Sequence, residues 1–146
     1  MSQKALGRLF NTTPAADNVW INVADQAAGV TYSCYLTGAA GDTYTVQQAT
    51  DASGTGAKNL VAITEYYTCT GNGSDAWTRR TQAAAATVVT AAAATQNAAV
   101  FEVEGTQLDD GFCYVRVAST GNGTVNALTR DLGVARAPEN LPATGA

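Results

Sequence analysis

The sequence contains no histidine. That removes the usual general base, the Ser–His and Cys–His nucleophile pairs, and the commonest transition-metal ligand. Charge is also scarce: 14% of the residues are charged, against about 25% in an average soluble protein. With 8 basic and 12 acidic residues the formal net charge is −4. Arg79-Arg80 is the only adjacent basic pair. No basic stripe exists for phosphates to use, which argues against a nucleic-acid partner. Long apolar runs are missing as well. No window approaches the roughly 18 residues of a membrane span, so no membrane partner is expected. The opening stretch, residues 1–10, lacks the apolar core of a signal peptide, and synthesis in a cytoplasm is expected. No Gly-rich phosphate loop is spelled: Gly54-Thr55-Gly56-Ala57-Lys58 has no second glycine before a Lys-Ser or Lys-Thr pair.

Paired carboxylates are what remains for catalysis. Glu102 and Glu104 share one strand face, and Asp109 and Asp110 are adjacent. They read as a solvated face and a turn, and Asp-Asp-Gly lacks the regularly spaced oxygen ligands of a calcium loop. The chain is expected to be non-enzymatic, with no catalytic residue, no cofactor and no metal.

What is present is a turn text that occurs twice, Thr70-Gly71-Asn72-Gly73 and Thr120-Gly121-Asn122-Gly123. Each stands between aromatic or β-branched runs, the strongest short-range signal for a hairpin with a primed turn. A further hairpin is expected between residues 30–36 and 43–48, around Gly38-Ala39-Ala40-Gly41-Asp42. Period-two alternation puts Val30, Tyr32, Cys34 and Leu36 on one face. Val61, Ile63, Tyr67 and Cys69 line up likewise, with Glu65 as the one break, and Cys113, Val115 and Val117 do so again. The three cysteines therefore read as free thiols on apolar faces, outside any Cys-x-x-Cys arrangement, with a single bridge between two of them as the alternative. In the alanine-rich stretch 83–99, Thr87-Val88-Val89-Thr90 predicts a strand between flexible alanine runs. The fold expected is all-β: one β-sandwich or small barrel of short antiparallel hairpins over residues 18–134. An N-terminal arm is expected over 1–17 and a C-terminal tail over 135–146.

Leu141-Pro142-Ala143-Thr144-Gly145 spells a sortase recognition motif. A sorting signal also carries an apolar segment and a basic tail, so the match reads as coincidence. Asp110-Gly111-Phe112-Cys113-Tyr114 carries its cysteine before its tyrosine, the reverse of the immunoglobulin corner.

Several segments together resemble small structural proteins of tailed bacteriophages, particularly those that infect actinobacteria. They are Gly7-Arg8-Leu9-Phe10, then Gly54-Thr55-Gly56-Ala57-Lys58-Asn59-Leu60 ahead of Tyr66-Tyr67, and Asp75-Ala76-Trp77-Thr78. Leu108-Asp109-Asp110-Gly111-Phe112-Cys113-Tyr114-Val115 and Arg136-Ala137-Pro138-Glu139-Asn140-Leu141-Pro142 complete the set. Within that group the chain looks most like a head decoration, or cement, protein. The resemblance implies a β-rich body on the outer capsid surface, bound to the major capsid protein and commonly trimeric, with an extended terminal arm. On that reading Leu6, Leu9 and Phe10 are the apolar anchors, and Lys4 and Arg8 meet acidic capsid surface. Leu9 and Phe10 covering the domain's own sheet edge is the competing reading of the same residues. A tail-tube subunit, expected as a hexameric ring, is one alternative function. A tail or fibre module that stacks host glycans on Trp20, Trp77 or Tyr35 is another.

Overall fold

The computed structural model describes residues 5–146. Its strands are β1 (Phe10–Thr13), β2 (Ile21–Asn22), β3 (Ala27–Tyr35), β4 (Thr43–Ala49), β5 (Lys58–Asn59) and β6 (Ile63–Cys69). They continue with β7 (Thr78–Ala85), β8 (Thr87–Val89), β9 (Ala98–Glu104), β10 (Tyr114–Ser119) and β11 (Thr124–Leu132). Single 3₁₀ turns stand at Ala94–Gln96, Gly105–Gln107 and Pro138–Asn140, and no helix among the described residues is long and apolar enough to cross a membrane. Two antiparallel sheets face each other. One runs β1-β11-β3-β9-β6-β7; the other runs β2-β10-β4-β5, with β8 also paired to β4. The sheets have free edges, so the fold is a sandwich and not a closed barrel.

The core follows from alternation. Val30, Tyr32 and Cys34 of β3, Ala99, Phe101 and Val103 of β9, and Val125 and Ala127 of β11 point inward. Tyr44 and Val46 of β4, Val88 of β8, and Val115 and Val117 of β10 meet them from the second sheet. The rings of Tyr32 and Phe101 stack with centroids 5.6 Å apart. Each fully buried valine of this set stabilises the fold by about 1.5–3 kcal/mol. Cys34 and Cys69 are buried, Cys113 is half-buried, and all three are free thiols.

The strands fall close to where the sequence puts them, but their pairing corrects the expected hairpins. β3 pairs with β9 and β11, and β4 pairs with β10, β5 and β8, so the turn around Gly38–Asp42 carries the chain between sheets. The second Gly-Asn-Gly does the same, joining β10 of one sheet to β11 of the other. Only the first Gly-Asn-Gly closes a hairpin, β6–β7, and it does so through a long loop, the last pair being Thr68 with Thr78. Gly71 and Gly73 take positive φ, 82° and 81°, whereas Gly121 and Gly123 do not. Consecutive strands change sheet at every connection except β4 to β5 and β6 to β7.

A buried carboxylate explains the second turn. Asp42 accepts from the backbone N–H of Thr43 (2.7 Å), Gly121 (2.8 Å) and Gly123 (2.9 Å), and from the hydroxyls of Ser119 and Thr120. These donors hold the crossover folded back over the start of β4, where a free hairpin would have needed a primed turn. Close by, Ala16 N–H donates to Val125 and Asn18 N–H to Val117, so residues 16–18 stitch the parting between β11 and β10.

Other sequence readings resolve in physical terms. Val61 is exposed where alternation placed it inward. The break at Glu65 coincides with a register shift: between Ile63 and Glu65, β6 advances two residues while β7 advances from Ala85 to Thr81. Ile63 therefore joins the core and Glu65 does not. The strand expected at 87–90 is β8, and the alanines before it extend β7 instead of remaining flexible. The C-terminal segment, which shows no side-chain pattern for packing, is held largely through its main-chain carbonyls. Asn22 donates from its backbone N–H to Thr144 O (2.9 Å) and from Nδ2 to Ala146 O (2.9 Å).

Candidate functional site

Of the residues expected to contact a capsid, Lys4 lies outside the described residues. The other four fall on one tight turn that enters β1. The Ala5 carbonyl accepts from the N–H groups of Arg8 (3.0 Å) and Leu9 (2.8 Å), and Gly7 N–H donates to Phe10 O (2.8 Å). Phe10 then pairs with Arg130, which places β1 on the edge of β11. Phe10 and Leu6 are half-buried, so part of this segment does cover the domain's own sheet edge. Leu9 does not: it is 72% exposed, and Arg8 beside it is also exposed. Arg136 N–H donates to the Gly7 carbonyl (2.9 Å), which brings the segment after β11 alongside the turn. That segment presents Val134, 58% exposed, and Arg136. One end of the six-stranded sheet thus carries two uncovered aliphatic side chains and two arginines. Val134 and Arg136 escaped the sequence reading because they sit in a stretch with no periodicity.

A second surface lies on the outer face of the same sheet. β6 and β9 are paired only from Tyr67–Cys69 to Val100–Ala98. Beyond that pairing a groove of about 340 Å³ is lined by Thr64, Glu65, Tyr67, Val100, Glu102 and Glu104, among others. Its carboxylates are held in place. Glu65 accepts from Arg79 Nε (2.8 Å) and Nη2 (2.6 Å) and from the Tyr67 hydroxyl (2.5 Å). The Tyr67 hydroxyl and then the Arg79 guanidinium keep the Glu65 carboxyl below the usual carboxylate range. Glu102 accepts from Thr31 Oγ1 (3.1 Å) and Arg130 Nη2 (3.2 Å), and Arg130 also pairs with Glu104 and Asp131. Being exposed, these pairs contribute little to stability, and their role is to fix side-chain directions.

Comparison with protein-family models, with curated proteins and with solved structures finds no match to this chain.

The aromatics proposed for stacking are not brought together. Trp77 and Tyr35 stand exposed on the six-stranded side. Trp20 leads into β2 of the other sheet, half-buried, its ring 4.6 Å from the Arg116 guanidinium and against Gly54. Asp109 pairs with Lys58, whose ammonium also lies 4.6 Å from the Phe112 ring. Among the described residues no three Cys, Asp or Glu side chains come together as a metal-binding group. The sortase-like segment lies against β2 with Thr144 buried. Asp42 and its ring of donors went unread in the sequence, although an Asp-Thr pair opening a strand was the available signal.

Proposed function

We propose that this chain is a non-enzymatic structural protein of a tailed-phage virion that binds the outer capsid surface and reinforces or decorates it. The observation that carries the reading is the exposed pair Leu9 and Val134, flanked by Arg8 and Arg136, at one end of the six-stranded sheet. A single exposed leucine is ordinary. Two exposed aliphatics, each with an arginine close by in sequence, on segments that the Arg136–Gly7 main-chain bond brings together, offer surface that a partner covers. The partner that fits is the major capsid protein, through an apolar contact with acidic surface around it. Lys4, expected to meet the same acidic surface, precedes this turn in the sequence. A trimer at local three-fold positions is the assembly the resemblance favours, on the capsid of a particle assembled in host cytoplasm.

The test is the mass of the full-length protein in solution, by light scattering, with and without its cognate empty capsids. A monomer or trimer that pellets with capsids in simple ratio to the shell subunits supports the reading. The Leu9→Ser/Val134→Ser variant is expected to stay folded and lose that binding. A hexameric ring, or wild-type protein that stays in the supernatant, overturns the reading and favours the tail-tube alternative.

A further inference from the structure

The groove between β6 and β9 does not stop at its carboxylates. It runs into an apolar hollow of about 330 Å³ formed by Tyr67, Val100 and Trp77, and Tyr67 and Val100 line both. Trp77 is 50% exposed, standing immediately before β7. A half-exposed indole beside a shaped polar trough is an apolar platform with hydrogen-bonding groups at its rim. We propose that this trough is a binding site for a neutral saccharide chain, with one sugar ring stacked on Trp77 and Tyr67 and the next ring's hydroxyls donating to Glu65 and Glu102.

Three features select that ligand class. A pyranose offers an apolar C–H face and a rim of hydroxyls, which match an aromatic floor and fixed acceptors. The acceptors are already oriented: Glu65 by Arg79 and Tyr67, Glu102 by Thr31 and Arg130. Little ordering is then left to be done on binding. The charges exclude the acidic sugars. Glu65, Glu102 and Glu104 outnumber Arg79 and Arg130, and each of these guanidiniums already faces a carboxylate, so an anionic chain meets repulsion. Glu65, with the Tyr67 hydroxyl and the Arg79 guanidinium already bonded to it, stays ionised and serves as an acceptor. The patch at Leu9 and Val134 is separate from this trough, so capsid binding and saccharide binding fail independently.

The test is a two-dimensional amide and indole NMR titration of the full-length protein. The probes are cellotetraose, maltotetraose, mannotetraose and chitotetraose, with tetragalacturonate as the acidic control. At least one neutral tetrasaccharide is expected to shift the Trp77 indole together with Tyr67, Val100 and Glu102, while Trp20 stays unmoved. Trp77→Ala should weaken that binding about tenfold, the loss expected for one stacked ring, with an unchanged melting temperature. Glu102→Gln should weaken it less, with the spectrum otherwise preserved. Shifts elsewhere, equal binding of tetragalacturonate, or no response to any of the four neutral chains at millimolar concentration would overturn the proposal.

Discussion

Gly123 N–H donates to the buried carboxylate of Asp42 at 2.9 Å, across 81 positions of sequence. The bond joins the start of a strand in one sheet to the turn that carries the chain into the other. With the bonds from Gly121, Thr43, Ser119 and Thr120, it makes Asp42 the polar fastening of that corner of the sandwich.

Replacing Asp42 tests that fastening. Burial by itself raises the Asp42 carboxyl, but the donors, led by Ser119 and Gly121, together outweigh it and hold the group below its ordinary value. A carboxyl depressed in the folded state adds stability above its unfolded pKa of about 3.9, and that stability is lost as pH falls through the lower folded value. Asp42→Asn keeps the volume but sets an amide NH₂ against backbone donors. It should destabilise the fold by about 3 kcal/mol at pH 7. Urea melts from pH 7 down to pH 2 should show the gap to wild type narrowing below about pH 4. A constant gap across that range would show that the Asp42 charge does not matter.

The two Gly-Asn-Gly texts should respond differently to the same substitution. Gly73 has φ +81° and open space around it, so Gly73→Ala costs about 1 kcal/mol through backbone strain alone. Gly123 lacks a positive φ, yet a Cβ there would stand 2.3 Å from Asp42 Oδ2 and 2.5 Å from the Tyr44 hydroxyl. Gly123→Ala should therefore lower stability more, by about 3 kcal/mol, because it displaces the fastening. Denaturant midpoints of the two variants settle the order, and equal losses would contradict the crossover geometry.

Tyr32 is wholly buried, and its hydroxyl has no hydrogen-bond partner among the described residues. Burial, and then the Cys34 thiol, push its pKa well up, so the hydroxyl stays neutral. An unpaired buried hydroxyl costs roughly 1–3 kcal/mol. Tyr32→Phe keeps the stack on Phe101 and should raise the melting temperature by about 3 °C. A lower melting temperature would show that the hydroxyl is satisfied after all.

How much of this was legible differs by level. The inward face of β3 could be read from Val30, Tyr32 and Cys34 because period two needs no knowledge of partners. Pairing could not, since Gly71-Asn72-Gly73 and Gly121-Asn122-Gly123 are the same text in different backbone states. What separates them is Asp42, nearly eighty residues away in the chain. Glu65 was visible as a break in alternation, but its cause is a register shift that depends on how β7 runs alongside. Leu9 was legible as a candidate anchor. Val134 and Arg136 were not, because only the main-chain bond from Arg136 to Gly7, and no side-chain pattern, brings their segment alongside the turn.

The pairing of β3 between β9 and β11 also sets a timetable for synthesis. β3 leaves the ribosome early, yet both of its sheet neighbours are made about 65 to 100 residues later. At about 5–20 residues per second, its apolar face waits several seconds for cover. The six-stranded sheet can close only when β11 emerges, so Val30 and Tyr32 stay exposed to nascent-chain chaperones until then.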